Sequence, residues 1–193
     1  MVTWALKEWA AAVTALLAGD TVLLLRKGGI REQRGPFSVA ARQVLLLPTV
    51  EHQTPALLKP EFRPLISPGN APTDSKTVYF RGWAEITHVF DLSVGVDPAP
   101  LLPYLIWNQP FLQERLRWRP DRPLYGLILR TYTLNSPVTV PRTAALEGCR
   151  SWVPLEQPVA VENTTAVLGE TEYQRRVERI LAAMPIGSRL VAA

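Results

Sequence analysis

The segment VYFRGWAEITHVFDL, from Val78 to Leu92, alternates apolar and other side chains along its whole length. A period of two sustained this far predicts a long β-strand, or a strand that bends at Gly82. On this pattern Val78 and Phe80 face one side, whereas Arg81 and Trp83 face the other. A strand of this length needs partners on its edges, so the chain is expected to build a sheet around it.

The other predicted elements mix strands and helices without regular βαβ alternation, and the 18 prolines argue against an all-helical protein. We therefore expect an α+β fold: a bent, mostly antiparallel sheet, either open or closed into a barrel, with flanking N- and C-terminal helices. A single domain is expected over 1–193, with the α+β core in 1–165 and a C-terminal helical extension in 166–193. The predicted helices are 3–19, 97–106, 109–118 and 170–184, and the predicted strands are 21–27, 43–48, 78–92, 124–134 and 148–155.

The composition limits where the protein can be located and which kinds of site it can contain. No apolar run approaches 18 residues, which predicts no membrane span, and the first residues lack the pattern of a signal peptide. The single cysteine, Cys149, excludes an internal disulfide and a cysteine-based zinc site. With a single cysteine, a reducing cytoplasm is the expected location. No cofactor is expected, since no phosphate-loop pattern is present.

A basic region lies between the apolar runs Val22–Leu25 and Val44–Leu47. It holds five cations, of which Arg26, Lys27 and Arg31 surround a predicted turn, against the single acid Glu32. Guanidinium and ammonium groups match phosphate oxygens. We therefore predict that these three residues contact a nucleic-acid backbone, although a merely solvated basic rim is the alternative.

Four further residues are predicted to complete the site. His52 and Gln53 follow a strand end and would give polar contacts to a base, whereas Arg81 and Trp83 would line a cleft. A second aromatic position is Trp118, with arginines at 115, 117 and 119 around it. Aromatic rings interleaved with arginines can stack bases, or they can simply close a core.

Two other functions are left open. A hydrolase or nuclease would use Glu51 with His52, or would hold a divalent ion between Glu61, Glu85 and Asp91. Two histidines without clustered acids do not predict a metal site, so none is expected. A subunit that only docks a partner would use the exposed face of the helix predicted over 170–184.

Six motifs of the chain carry a resemblance to a known family: WALKEW, LLLRKGGIRE, LLPTVEHQ, FRGWAEI, LILRTYTL and GCRSWVPL. Together they resemble a bacterial family, common in cyanobacteria, that is known only as a domain of unknown function. Some members of that family are joined to restriction-endonuclease-like domains, which implies a DNA-facing role and an endonuclease-type partner. No catalytic residue is carried over.

A looser resemblance concerns residues 19–91. A glycine after a helix, a strand ending in arginine and a later G-x-A-E-I strand are similar to the PUA-like group that includes ASCH and EVE domains. The ASCH pattern G-x-K-x-x-E-x-R matches at Gly19 and Arg26, but Thr21 and Leu24 replace its lysine and glutamate. The resemblance thus implies a barrel with a cleft for RNA or modified bases, and not the ASCH-type catalysis. Together these features predict a nucleic-acid-binding module, for DNA or RNA, without its own catalysis.

Overall fold

The computed structural model describes residues 1–27, 39–66, 76–148 and 150–191. Arg31 and Cys149 therefore lie outside the described residues. Short 3₁₀ segments at Pro55–Leu57, Pro60–Leu65 and Ala99–Tyr104 connect the main elements. In chain order those elements are β1 (Val2–Trp9), α1 (Ala10–Ala18), β2 (Leu23–Arg26), β3 (Gln43–Thr49), β4 (Thr77–Leu92), α2 (Gln109–Arg117), β5 (Leu124–Pro141), α3 (Ala144–Glu147), β6 (Trp152–Val159), β7 (Thr164–Ala166), α4 (Glu170–Ala182) and β8 (Ser188–Val191).

One sheet organises the molecule around β4 and β5, which pair with each other over almost their whole lengths. Strands β3 and β8 pair with β4, whereas β2 and β7 pair with β5. The main path of the sheet runs β2-β5-β4-β3-β1-β6, and within the described ranges only the β1–β3 ladder is parallel. The prediction of an α+β fold with a bent, mostly antiparallel sheet is confirmed. No described ladder joins β2 to β6, so the sheet is open rather than a closed barrel.

Apolar side chains cover both faces of the sheet. Along β3, Val44 and Leu46 enter the larger core cluster with α1 and α2, while Leu45 and Leu47 enter a smaller cluster on the opposite face. This strand therefore lacks the polar half of an alternating pattern, as expected of a strand buried on both sides. The two clusters fix the register of the sheet, because a slip by one residue would exchange them.

An irregularity of the β4–β5 ladder accompanies the corrected facing of Trp83. The ladder shifts between Phe80 and Gly82, where Arg81 lies opposite four residues of β5, 134–137. The alternation of side chains along β4 does not continue unchanged across this shift. Trp83 consequently joins Val78 in the smaller apolar cluster instead of pointing away from it. At a second shift, between Ile86 and His88, the extra residue is on β4 and is Thr87.

The N-terminal helix begins later than predicted. Residues 2–9 form β1, which pairs in parallel with β3 and antiparallel with β6, and the helix itself runs only from Ala10 to Ala18. The helical spacing of Leu6, Trp9, Val13 and Leu16 misled the prediction because β1 is buried on both faces. Gly19 ends the helix as predicted, in the left-handed conformation with φ of 78°.

The C-terminal segment packs on the same core. Helix α4 buries Tyr173, Val177 and Ile180 in the larger cluster, and β8 then pairs with the end of β4. On the other side of α4, Glu172 forms ion pairs with Arg175 and Arg176. The exposed face of this helix is thus charged.

Candidate functional site

A cleft opens where the end of β1, the segment 52–57 and helix α2 meet. Its volume is about 320 Å³, which lies at the lower end of the roughly 300–1,000 Å³ typical of small-molecule sites. Another cavity, beside Thr131 and Tyr173, holds about 10 Å³, which is room for one water. We call the larger site the α2 cleft; it is lined by Trp9, His52, Thr54, Leu57, Phe111, Glu114, Arg115 and Trp118.

Aromatic rings form the floor of the α2 cleft. Trp9 and Phe111 are both buried, with Trp107 packed against them. The rings of Trp107 and Phe111 stack, with their centroids 4.7 Å apart and an interplanar angle of 12°. Trp9 meets Trp107 and Phe111 edge-on, at centroid distances of 6.2 and 6.1 Å. These are favourable aromatic geometries, so the floor is rigid.

Hydrogen bonds fix the wall between the two helices. The side-chain oxygen of Gln53 accepts the N–H of Ala11 at 2.9 Å, and so satisfies the first turn of α1. Asn108 caps α2 by accepting the N–H of Phe111 at 3.3 Å, and its amide nitrogen donates to the carbonyl oxygen of Ala56 at 2.7 Å. The segment 53–56 is therefore tied to both helices.

Arg115 is the cationic residue that lines the cleft. Its guanidinium carbon lies 4.9 Å from the centre of the Phe111 ring. Burial lowers the pKa of Arg115; the Glu8 and Glu114 carboxylates oppose this shift and the Arg26 guanidinium adds to it. Glu8 is itself held by an ion pair with Arg26. The described residues thus give Arg115 two nearby carboxylates but no ion pair of its own.

The rim of the cleft carries exposed groups. Trp118 is 47% exposed, and the guanidinium carbon of Arg119 lies 4.6 Å from the centre of its ring. His52 and Arg119 have φ of 59° and 48°, a left-handed conformation that few non-glycine residues adopt. Backbone strain of this kind is concentrated at functional sites in proteins. Two of the three described non-glycine residues with positive φ therefore lie at this rim.

The predicted basic rim at Arg26 and Lys27 is not exposed. The Arg26 side chain is 10% exposed and pairs with Glu8. Lys27 is 6% exposed, donates a hydrogen bond to the carbonyl oxygen of Leu116 at 3.0 Å, and has its pKa lowered by burial. Both cations have internal partners, which corrects the expectation that they form a surface rim.

The other predicted site residues are separated from one another. His52 reaches the rim of the α2 cleft, whereas the Gln53 side chain is used by α1. Arg81 is exposed at the point where the β4–β5 ladder shifts register. Trp83 is 8% exposed and stacks on Tyr132 at a centroid distance of 4.3 Å and an angle of 8°. The cleft predicted between Arg81 and Trp83 is not formed by these side chains.

Sequence reasoning missed the residues that build the cleft. It placed Trp9 in the predicted helix 3–19, named Arg115 only as a neighbour of Trp118, and passed over Phe111. A usable signal was present, because Phe111 and Arg115 are four residues apart on a predicted helix and so lie on one face. The arginines noted around Trp118 were the other signal, and they do surround the rim.

The acids proposed for a hydrolase come from two elements. Glu61 is in a 3₁₀ segment, whereas Glu85 and Asp91 are both on β4, where Glu85 lies opposite Gln43 and Arg130 and Asp91 lies opposite Tyr125 and Arg189. Within the described ranges, no group of three or more His, Cys, Asp or Glu side chains could hold a metal ion.

A polar cluster joins β4 to α4. The Thr87 hydroxyl donates to the carbonyl oxygen of Ile128 at 3.2 Å, so its oxygen is left to accept from Tyr173 at 2.5 Å and from Nδ1 of His88 at 3.0 Å. Burial lowers the pKa of His88 and raises that of Tyr173. Arg130 lies over the Tyr173 ring and pairs with Glu170. These groups satisfy one another, so the cluster holds α4 in place.

None of the helices in the described part of the chain has the length and apolar character required to cross a bilayer.

The fold and cleft define an α+β protein with an arginine in an aromatic-lined cleft. The model of DUF1802, a domain of unknown function, matches residues 5–179, and the chain belongs to that family. This confirms the resemblance drawn from the six motifs. No curated protein matches the chain significantly in sequence.

Solved structures of the ASCH protein from Zymomonas mobilis are similar to the chain. A serine-to-alanine mutant has a TM-score of 0.41 and 12% identity, covering 91% of this chain and 94% of its own. A tyrosine-to-phenylalanine mutant has a TM-score of 0.38 and 13% identity, covering 91% and 96%. At TM-scores below 0.5, no residue correspondence follows from these likenesses.

Proposed function

We propose that this protein is a nucleic-acid-binding module and that the α2 cleft is its contact surface. The observation that carries the proposal is Arg115, a partly buried cation that shares Glu8 with Arg26 and lines a cleft of aromatic rings. A partly buried guanidinium with which no described carboxylate forms an ion pair is stabilised by an anion from outside. An aromatic ring beside it suits a base.

The surroundings of the cleft favour a polyanion over an isolated small anion. Between residues 109 and 122 there are four arginines against Glu114 and Asp121, and the whole chain carries a formal net charge of +4. Trp118 is exposed next to these charges. Rings and arginines in one place are the combination that binds single-stranded RNA and DNA.

The wider roles predicted from the sequence belong to the same proposal. A link to DNA restriction or modification, and an endonuclease-type partner, would place this module beside a separate catalytic chain. The charged outer face of α4 is the surface proposed for that partner. No observation favours a metal-dependent hydrolase, because the described residues contain no group of three or more His, Cys, Asp or Glu side chains that could hold a metal ion.

The direct test is fluorescence anisotropy at low salt with labelled single-stranded and duplex DNA and RNA. We expect binding that weakens steeply as salt rises, because phosphate contacts release counterions. Trp118→Ala should weaken binding by about 5- to 100-fold, as expected for one base–aromatic stack. Arg175→Ala, which removes an exposed arginine on α4, is the matched control and should bind like the wild type.

Two results would contradict the proposal. One is the absence of binding to every nucleic acid at low salt. The other is binding that Trp118→Ala leaves unchanged while Arg175→Ala weakens it, because the contact surface would then lie on α4. Incubation of plasmid with the protein and Mg²⁺ or Mn²⁺ should leave the substrate intact; cleavage would support the hydrolase.

A further inference from the structure

We infer that the α2 cleft takes a backbone phosphate of a single strand into its interior and leaves the attached base at the rim, against Trp118. This inference rests on the proposed nucleic-acid-binding function and specifies the orientation and the class of the ligand. A phosphate-first orientation makes binding independent of base identity. It is also the opposite of a pocket that encloses a base.

The charge of the cleft lies in its interior. Glu8 and the Arg26 side chain are each 10% exposed and pair with each other, and both lie close enough to Arg115 to shift its pKa. Glu114, an exposed acid, lines the cleft as well, but no described carboxylate forms an ion pair with Arg115. The Nε atom of Arg26 is buried and has no hydrogen-bond partner among the described residues. A phosphate beside Arg115 would give this guanidinium an ion pair. Guanidinium groups are the side chains best matched to that anion.

The interior rings, in contrast, are not available to a base. Phe111 is covered by Trp107 and by the Arg115 guanidinium, and Trp9 packs edge-on against it. Trp118 is the ring of the cleft with substantial exposed area. Arg119 lies over its ring, and a base would stack on the part of the indole that stays exposed. The aromatic contact is therefore at the rim.

The spacing of the two contacts fits one nucleotide. Arg115 and Trp118 are three residues apart at the end of α2, and side chains at this spacing are neighbours, about 5–6 Å apart at their Cβ atoms. A base that stacks on Trp118 must be unpaired, because paired bases present only their edges in the grooves. Single strands meet this requirement without the cost of unpairing, so they should bind more tightly than duplexes.

Competition experiments test the orientation. The full chain is bound to a labelled single-stranded 12-mer, and three unlabelled competitors are added: a nucleoside, its 5′-monophosphate and inorganic phosphate. We expect the monophosphate to compete at least tenfold better than the nucleoside, with similar values for all four bases. Inorganic phosphate should compete weakly, since it lacks the stack on Trp118. A 12-mer with a 5′-phosphate and one without it distinguish a terminal phosphate from an internal one as the group bound.

Variants at Arg115 supply the second test. Arg115→Ala should weaken 12-mer binding by about 10- to 100-fold and abolish the preference for monophosphate over nucleoside. Arg115→Lys keeps the charge without the planar fork, so its affinity for the 12-mer should lie between those of the wild type and Arg115→Ala. Thermal unfolding of each variant confirms that it is folded, and Arg175→Ala again provides the matched loss of charge.

The outcomes separate the inference from the function on which it rests. A nucleoside that competes as well as its monophosphate, or affinity that follows base identity and survives Arg115→Ala, overturns the phosphate-first orientation while nucleic-acid binding stands. Duplex binding as tight as single-strand binding overturns the requirement for an unpaired base. If no nucleic acid binds, both the function and the inference fall.

Discussion

Arg115 and Arg130 each lie over an aromatic ring, and they differ in the source of their counter-ion. The guanidinium carbon of Arg130 is 5.0 Å from the centre of the Tyr173 ring, and the same group pairs with Glu170 on α4. That of Arg115 is 4.9 Å from the centre of the Phe111 ring, and no described carboxylate forms an ion pair with it. The counter-ion of Arg130 is thus supplied within the protein. In our proposal, the counter-ion of Arg115 is a phosphate from outside.

The tryptophans of the two regions differ in the same sense. Trp83 lies near Arg130 through their shared neighbour Tyr132, and it is almost fully buried. Trp118 lies next to Arg119 and is 47% exposed. An aromatic ring beside an arginine is therefore not a sign of binding by itself. The difference lies in whether the protein also provides the carboxylate and the covering side chains.

The largest expected effect comes from exchanging each tryptophan for alanine. Trp83→Ala should lower the free energy of unfolding by about 3–5 kcal/mol, because it removes a buried ring stacked on Tyr132. Trp118→Ala should change it by less than about 0.5 kcal/mol, since the ring is exposed. Urea unfolding measures both values. Equal losses would mean that Trp118 is a core residue, and the comparison of the two regions would fail.

A slightly smaller effect is expected at the carboxylates. Glu8→Gln should cost roughly 3 kcal/mol, because it leaves Arg26 as a buried cation without its partner. Glu170→Gln, in the exposed pair with Arg130, should have a much smaller effect, because solvent screens an exposed ion pair. Added phosphate should stabilise Glu8→Gln more than the wild type in thermal unfolding, since the cleft then holds two unpaired guanidinium groups. A response to phosphate that is identical in both proteins would contradict the shared role of Glu8.

The sequence predicted the long elements better than it predicted their orientation. Period two located β4, and helical spacing located α2 and α4, because these segments are amphipathic and their partners do not alter the pattern. It failed at β1, where burial on both faces removes the period that distinguishes a strand from a helix. It failed again at Trp83, because nothing in the letters FRGWAE reveals that the ladder with β5 shifts register between Phe80 and Gly82.

The candidate site was harder to predict, because it depends on pairing between distant segments. Arg26 and Lys27 are cations next to a strand end, a pattern typical of a basic surface. Their partners, Glu8 and the carbonyl oxygen of Leu116, come from segments 18 and 89 residues away in the chain. Only the packed structure shows that these charges are internal and that Arg115 is left without an ion pair among the described residues.

Replacing the arginines themselves should give small effects of opposite sign. Arg130→Ala should lower the free energy of unfolding by up to about 1 kcal/mol, since it breaks the partly exposed pair with Glu170. Arg115→Ala should leave stability unchanged or raise it by less than about 1 kcal/mol, because it removes a partly buried cation with which no described carboxylate forms an ion pair. Urea unfolding in phosphate-free buffer measures both. A loss above about 2 kcal/mol for Arg115→Ala would show that Arg115 has a strong internal partner.

The smallest expected effect is a pH dependence of stability that arises in the polar cluster of Thr87, His88 and Tyr173. Burial lowers the pKa of His88 below its usual value of 6.5, so the unfolded chain binds the proton at a higher pH than the folded protein. The stability that His88 contributes is therefore present above pH 6.5 and is lost as the pH falls through the lower pKa of the folded state. Burial raises the pKa of Asp91 above 3.8, so its contribution has the opposite sign: it is present in acid and lost as the pH rises. Unfolding midpoints should fall as the pH is lowered from 7.5 to 5.5, and His88→Gln should reduce that fall while Asp91→Asn preserves it. If the unfolding midpoint of His88→Gln falls with pH as steeply as that of the wild type, another group causes the loss of stability in acid. The polar cluster of Thr87, His88 and Tyr173 would then not be the region of internally paired groups with which the α2 cleft has been compared.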